Sequence, residues 1–163
     1  MRVGVVADTH LRRGWSRTLP ARAVAELASS DVILHAGDLV AMEVLTMLEA
    51  IGPPVLAVHG NVDEPELRLR LPRVRLVDAA GATILMTHDG GPAARRLQRL
   101  RRRFAQCDAV VFGHSHIPLH EEEGGFQIFN PGSPTERRRS PTHTMGIAHA
   151  EDGRVEFELI HLD

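Results

Sequence analysis

The chain has 163 residues, 43% of them hydrophobic and 25% charged, which suits one soluble domain over residues 1–163 whose core needs no staples. The formal net charge of −2 gives no overall pull toward nucleic acid or a membrane surface, and the single cysteine, Cys107, excludes an internal disulfide and fits a reducing, cytoplasmic compartment. The opening MRVGVVADTH has no signal-peptide pattern, and no apolar run approaches the roughly 18 residues of a spanning helix, so no membrane partner is expected.

Short apolar runs alternate with amphipathic stretches through the first two thirds of the chain. Arg2–Ala7 reads as a buried strand, Leu19–Ser29 as a helix, and Asp31–His35 as a second strand. Met42–Ile51 reads as a second helix and Pro54–Val58 as a third strand. Thr83–Thr87 and Ala109–Phe112 are further strands, separated by an arginine-rich helix from about Pro92 to Phe104. Strands separated by helices predict βαβ units and a mostly parallel central sheet. After residue 116 the pattern turns antiparallel, with strands over Ile117–Glu123, Phe126–Phe129, His143–Ala150 and Val155–Ile160. Gly124-Gly125 and Asp152-Gly153 are the expected hairpin turns. The run ERRRSP (136–141) reads as a flexible loop.

Polar residues interrupt the strand ends in a regular way. Asp8 and His10 follow the first strand in ADTH, Gly37 and Asp38 the second in HAGD, and Gly60 and Asn61 the third in HGNVD. His88 follows a later strand in LMTHDG, and His114 and His116 the next in GHSH. The steps from Asp8 to Asp38, Asn61, His88 and His114 run between 23 and 30 residues, about one strand–loop–helix unit each. Ligands of open α/β sheets bind outside the carboxyl ends of the strands, so these loops should converge.

What converges is two Asp, one Asn and four His, an oxygen-and-imidazole set suited to divalent transition metals. That is too many groups for one ion. It suits two, with one carboxylate bridging, the arrangement that clamps a phosphoryl group. Gly37, Gly60 and Gly113 each precede a proposed ligand and permit a tight turn. Each motif alone is weak, since Asp-x-His pairs are common and GD or GN dipeptides usually mean turns. Five in strand-end register are not independent accidents.

The order Asp8-Thr9-His10, Gly37-Asp38, Gly60-Asn61, His88, Gly113-His114-Ser115-His116 resembles the calcineurin-like metallophosphoesterase family over nearly the whole chain. The short length and NPGSP (130–134) resemble its small bacterial and archaeal phosphodiesterase branch, with the retromer subunit of this fold as a relative. The resemblance implies a four-layer α/β/β/α sandwich with two mixed β-sheets. It implies that Asp8, His10, Asp38 and His116 hold a first metal, and that Asp38, Asn61, His88 and His114 hold a second, with Asp38 bridging. Manganese is the implied ion, with Ni²⁺, Fe²⁺ and Zn²⁺ as alternatives. Many members carry a histidine directly after the GN pair that acts on the leaving group; here that position is Val62. Asp89 stands where a glycine is common.

The expected function is therefore a metal-dependent hydrolase that cleaves small phosphodiesters, or phosphomonoesters, through a metal-bridging hydroxide. Asn61, His10 and Asp38 are its expected catalytic residues. Without a histidine at position 62, aryl esters should react faster than alkyl ones. Two alternatives stand beside it: a scaffold that keeps the fold for binding, as in the retromer relative, and a nuclease that uses the arginine clusters at 94–104 and 137–139. The first cluster reads better as a solvated helix face, since no aromatic residues interleave it to stack bases. His35 and His59 are expected to orient ligands or to make structural hydrogen bonds. Asp63 is expected to orient a ligand such as His10, or to cap the following helix start. Asn130 and Ser133 read as turn residues, and His120, His143, His149 and His161 as structural or exposed. Trp15 reads as a cover for the site or a surface anchor.

Overall fold

The computed structural model describes residues 1–12, 14 and 16–163. In chain order the elements are β1 (Arg2–Val6), α1 (Ala21–Ala28), β2 (Val32–His35), α2 (Met42–Glu49), β3 (Val55–Ala57), α3 (Pro65–Arg70) and β4 (Val74–Ala79). There follow β5 (Ala82–Thr87), α4 (Arg96–Arg103), β6 (Ala109–Val111), β7 (Leu119–Glu123), β8 (Phe126–Asn130), β9 (Thr144–Glu151) and β10 (Arg154–His161). None of the described helices is long and apolar enough to cross a membrane.

The strands form two five-stranded sheets, β10-β9-β1-β2-β3 and β4-β5-β6-β8-β7. Both are mixed. In the first, β1, β2 and β3 run parallel while β9 and β10 are antiparallel. In the second, β5, β6 and β8 run parallel and β4 and β7 flank them antiparallel. The mostly parallel central sheet expected from periodicity is thus corrected, its strands being divided between the two mixed sheets that the resemblance implies. Periodicity shows that a strand is buried, but not which sheet buries it.

Side chains alternate across each strand and so serve two layers. Val3, Val5 and Leu34 of the first sheet meet Ile84, Met86, Val111 and Phe129 of the second in the central core. Val6 and Ile33 point the other way, into a layer with Ala23, Leu27, Leu45, Leu48 and Leu67 from α1, α2 and α3. On the outer face of the second sheet, Leu97 and Leu100 of α4 pack with Val110, Phe112 and Ile128. The result is the four-layer α/β/β/α sandwich. Gly4 lets α1 lie close, since a Cβ there would stand 2.7 Å from the Leu27 side chain.

Three elements depart from the expected pattern. The helix α3 is only six residues long, and Pro65 opens it with a fixed φ. The β4–β5 hairpin turns on Ala80 and Gly81, both at positive φ (52° and 88°), without the Asn-Gly signal that would advertise it. The hairpins at Gly124-Gly125 and Asp152-Gly153 turn as expected, each with both residues at positive φ. The helix expected from Pro92 begins only at Arg96, because Arg95 takes a left-handed conformation.

Candidate metal centre

The parallel strands β1, β2, β3, β5 and β6 deliver seven polar side chains to one edge of the sandwich. Asp8 and His10 lie just past β1, Asp38 past β2, Asn61 past β3, His88 directly after β5, and His114 and His116 past β6. Backbone bonds stitch the first two loops together: Asp8 N–H donates to Gly37 O at 3.0 Å and His10 N–H to Asp38 O at 3.1 Å. Five of the seven residues are left-handed: Asp8 (φ 54°), His10 (43°), Asp38 (59°), His114 (71°) and His116 (59°). Such conformations cost on the order of 1–3 kcal/mol each and cluster where function demands a particular aim. His114 and His116 therefore sit on a loop and not on a strand.

The side chains fall into two groups. Asp8, His10 and His116 offer ligand atoms within 4.8 Å of one another, as do Asp38, His88 and His114. In the first group His116 Nε2 lies 3.6 Å from Asp8 Oδ1, and the His10 and His116 rings are 4.8 Å apart. In the second, Asn61 Oδ1 lies 3.0 Å from both His88 Nε2 and His114 Nδ1. Asp38 Oδ2 sits between the groups, 3.3 Å from His10 Nε2 and 3.2 Å from His88 Nε2.

The imidazoles are aimed from behind. His88 Nδ1–H donates to Ala36 O at 2.9 Å, and His116 Nδ1–H donates to the Glu136 carbonyl. Each bond leaves Nε2 as the inward atom, the tautomer that metal ligation requires. The Glu136 carboxylate lies 3.1 Å from His10 Nδ1, within ion-pair distance of that ring. Its sequence setting in ERRRSP suggests only a flexible loop, and nothing there marks Glu136 as facing a histidine.

Whether these residues suit a metal can be tested on their own bonding. Among the described residues, the buried side-chain atoms without a hydrogen-bond partner are Asp8 Oδ2, His10 Nε2, His116 Nε2 and Glu136 Oε2. Buried polar atoms are rarely left unmatched, because desolvation costs about 1–3 kcal/mol. Three of these four belong to the first group and are metal-ligating types. The donor set fits a divalent ion there.

Protonation follows the same geometry. Burial pushes the Asp8 carboxyl up to about 7, against the pull of His88 and with the Asp38 charge adding to the rise. Burial acts on Asp38 too, but the nearby His10 and His88 side chains outweigh it and hold its carboxyl well below the usual range. Burial opposes the charged form of His88, yet its bond to Asp38 and the charges of Asp38 and Asp8 raise its pKa. Burial lowers His116 to about 4, more than its bond to Glu136 restores.

The three glycines act for different reasons. Gly37 is left-handed (φ 91°). Gly60 and Gly113 are not, and they matter for close approach. A Cβ on Gly60 would stand 2.0 Å from Asp38 Oδ1, and one on Gly113 would stand 2.9 Å from Asp8 Oδ2.

Other expectations resolve differently. Asp63 neither contacts His10 nor caps α3, whose N-terminus has no side-chain cap. It is buried, accepting N–H bonds from Val40 (2.6 Å) and Gly60 (2.7 Å), and so ties the second ligand loop to the third. His35 bonds Thr9 Oγ1 and the Gly37 N–H, and His59 bonds Gly60 O. Asp89 accepts from Gly91 N–H in a turn. Asn130 binds Gly113 O and Ser115 Oγ, while Ser133 Oγ donates to Asp8 O, so the NPGSP turn braces two ligand loops. His120, His143, His149 and His161 have partners remote from the centre. Trp15 lies outside the described residues.

The Calcineurin-like phosphoesterase superfamily domain matches the chain over residues 1–153. A protein of Methanothermobacter thermautotrophicus named "Probable metallophosphoesterase" is 30% identical over 162 residues, 98% of this chain and 92% of its own. A phosphodiesterase of Methanocaldococcus jannaschii is 22% identical over 147 residues, 81% of this chain and 83% of its own. Among solved structures, wild-type Vps29 from Entamoeba histolytica complexed with zinc matches with a TM-score of 0.77 at 22% identity, covering 100% of both chains.

Proposed function

Since the chain belongs to the calcineurin-like phosphoesterase superfamily, we propose that it is a dinuclear metal-dependent phosphodiesterase. Asp8, His10, Asp38 and His116 would hold one divalent ion, and Asp38, Asn61, His88 and His114 the other. The observation that carries this reading is the place of Asp38 Oδ2, within 3.3 Å of an inward nitrogen from each group. The phosphodiesterase name of one relative and the zinc bound by one structural neighbour support it. Manganese suits this mixed oxygen and imidazole set, and zinc, iron and nickel also bind imidazole.

Two such ions would lower the pKa of a coordinated water and stabilise charge on the phosphoryl oxygens. The chain's own residues supply the rest. Ala36 O and Glu136 O hold His88 and His116 with Nε2 inward, so those two imidazoles need no reorganisation when substrate binds. Val62 offers no proton to the leaving oxygen. Its backbone N–H donates to Asp38 Oδ1 at 3.0 Å, and the residue is 39% exposed. Esters whose leaving group needs no protonation are the natural first substrates. The substrate is a small phosphodiester, with phosphomonoesters second.

The test is hydrolysis of bis(p-nitrophenyl) phosphate by chelator-stripped protein before and after Mn²⁺ is restored. Turnover only after restoration supports the reading. The exposed valine favours a second reading, a metal-holding binding module, and full metal loading without turnover on any ester would select it.

A further inference from the structure

A cleft of about 760 Å³ opens beside the second ligand group and shares Asn61, His88 and His114 with it. Four arginines line its other walls: Arg68, Arg73, Arg99 and Arg103. They come from three parts of the chain: α3, the segment before β4, and α4. The only carboxylate among the lining residues is Asp89, one of whose oxygens is occupied by the Gly91 N–H. The arginine-rich helix is therefore not a uniform solvated face. Arg96 lies over the Phe112 ring at 4.9 Å and Arg101 pairs with Glu123 at 3.3 Å, while Arg99 and Arg103 turn into the cleft.

The contacts these guanidiniums make leave their charge uncompensated. Arg99 donates to Gly90 O, Pro92 O and Ala94 O at 2.8–3.0 Å, and Arg68 donates to Asn61 O. Carbonyls fix a guanidinium in place but do not neutralise it. Arg73 has no hydrogen-bond or ion-pair partner among the described residues, and Arg103 lies 5.1 Å over the Phe104 ring. Between the arginines the lining is apolar, with Val74, Leu100 and half-buried Phe104. A volume in this range holds a ligand of nucleotide size. Pre-placed guanidinium forks recognise phosphate oxygens.

We infer that this cleft seats a second anionic group of the substrate: a nucleotide-sized phosphodiester that carries a further phosphate, with its apolar portion over Phe104. This rests on the phosphodiesterase reading for the identity of the reacting group, but the cleft's affinity for anions does not depend on turnover.

Two measurements separate the claims. The first is binding to chelator-treated protein of thymidine 3′,5′-bisphosphate against thymidine 5′-phosphate, for wild type and for the double variant Arg73→Ala/Arg103→Ala. The bisphosphate should bind wild type about tenfold tighter, the effect of one charge-assisted contact in a solvated cleft, and the variant should lose that preference. The second is kcat/KM with Mn²⁺ for the 5′-(p-nitrophenyl phosphate) ester of thymidine with and without a 3′-phosphate. The same ratio of about ten should appear and collapse toward one in the variant. Equal binding of the two nucleotides by wild type, or a preference that survives the double substitution, would overturn the inference. Far tighter binding of a ten-residue oligothymidylate, falling steeply with salt, would overturn it in favour of a nucleic-acid channel. Selective binding without turnover of either ester would overturn the phosphodiesterase reading and leave the anion site standing.

Discussion

Glu136 faces His10, with its carboxylate Oε2 3.1 Å from His10 Nδ1, while its own backbone carbonyl accepts from His116 Nδ1. One residue, 126 positions along the chain from His10, thus contacts two imidazoles of one candidate group. Outer partners of this kind typically contribute 10–100-fold in metal affinity. Replacing Glu136 with Gln removes the charge behind His10 but keeps the carbonyl that holds His116. Affinity for one ion should fall by about tenfold while the other is retained, as read by titration against a chelating dye. Unchanged affinity for both ions would show that the carboxylate does not tune the ligand.

Asp38→Asn tests the shared ligand. The variant keeps an oxygen that can accept from Val62 N–H but loses the negative charge between the groups. Metal content and turnover should fall together, with kcat/KM down on the order of 10³-fold, since several kcal/mol of charge stabilisation is lost. A variant with normal activity and normal metal content would remove Asp38 from the bridging position.

Gly60→Ala should damage the centre without touching a ligand. The added methyl would stand 2.0 Å from Asp38 Oδ1 and 2.4 Å from the Asp38 backbone nitrogen. Gly60 does not have a positive φ, so the cost is steric, about 1–3 kcal/mol for overpacking. Thermal unfolding should come several degrees earlier, and metal content should drop. Gly37→Ala fails on two counts, because φ is 91° and the methyl would stand 2.7 Å from His88 Nδ1.

Val62→His tests the absent proton donor. The residue is 39% exposed and sits next to Asn61, so an imidazole there needs no repacking of the core. A general acid contributes about 10²–10⁴-fold where the leaving group needs a proton. The ratio of alkyl to aryl diester turnover should rise by at least about tenfold. An unchanged ratio would mean that leaving-group protonation does not limit the alkyl esters.

His35 predicts a pH dependence of stability in chelator. The side chain is fully buried, and desolvation, with the charge of His88 adding to it, lowers its pKa to about 3. The unfolded chain therefore takes up this proton first, below its unfolded value of about 6.5. Stability is complete above that value and is lost as pH falls toward 3, by at most about 1.4 kcal/mol per pH unit. His35→Asn should cost stability at pH 7, because the Thr9 bond is lost, but should flatten the decline between pH 6 and 4. Parallel stability curves for the two proteins would contradict the buried, uncharged state.

The candidate ligands were legible because strand ends are punctuated by polar residues that an apolar run cannot hide. Asp8, Asp38 and His88 each break such a run within a few residues of its end. The two mixed sheets were not legible from pattern, since Val5 and Val111 look alike whichever sheet buries them; they came from the family resemblance. The β4–β5 hairpin escaped because Ala80-Gly81 gives a weak turn signal and β4 is an edge strand with Leu76 59% exposed. Glu136 escaped because its role depends on a contact 126 residues away. The arginines of α4 read as one face because helical periodicity shows direction, not what the neighbouring loops bring to meet it.

The most direct measurement is metal stoichiometry. Chelator-stripped protein would be titrated with Mn²⁺, desalted and analysed by elemental mass spectrometry, beside the His116→Ala and His88→Ala variants. Two ions on the wild type and about one on each variant is the expected result, since each histidine would serve a different ion. No retained metal on the wild type, or a single ion on the wild type that either substitution removes, would contradict a two-ion centre bridged by Asp38.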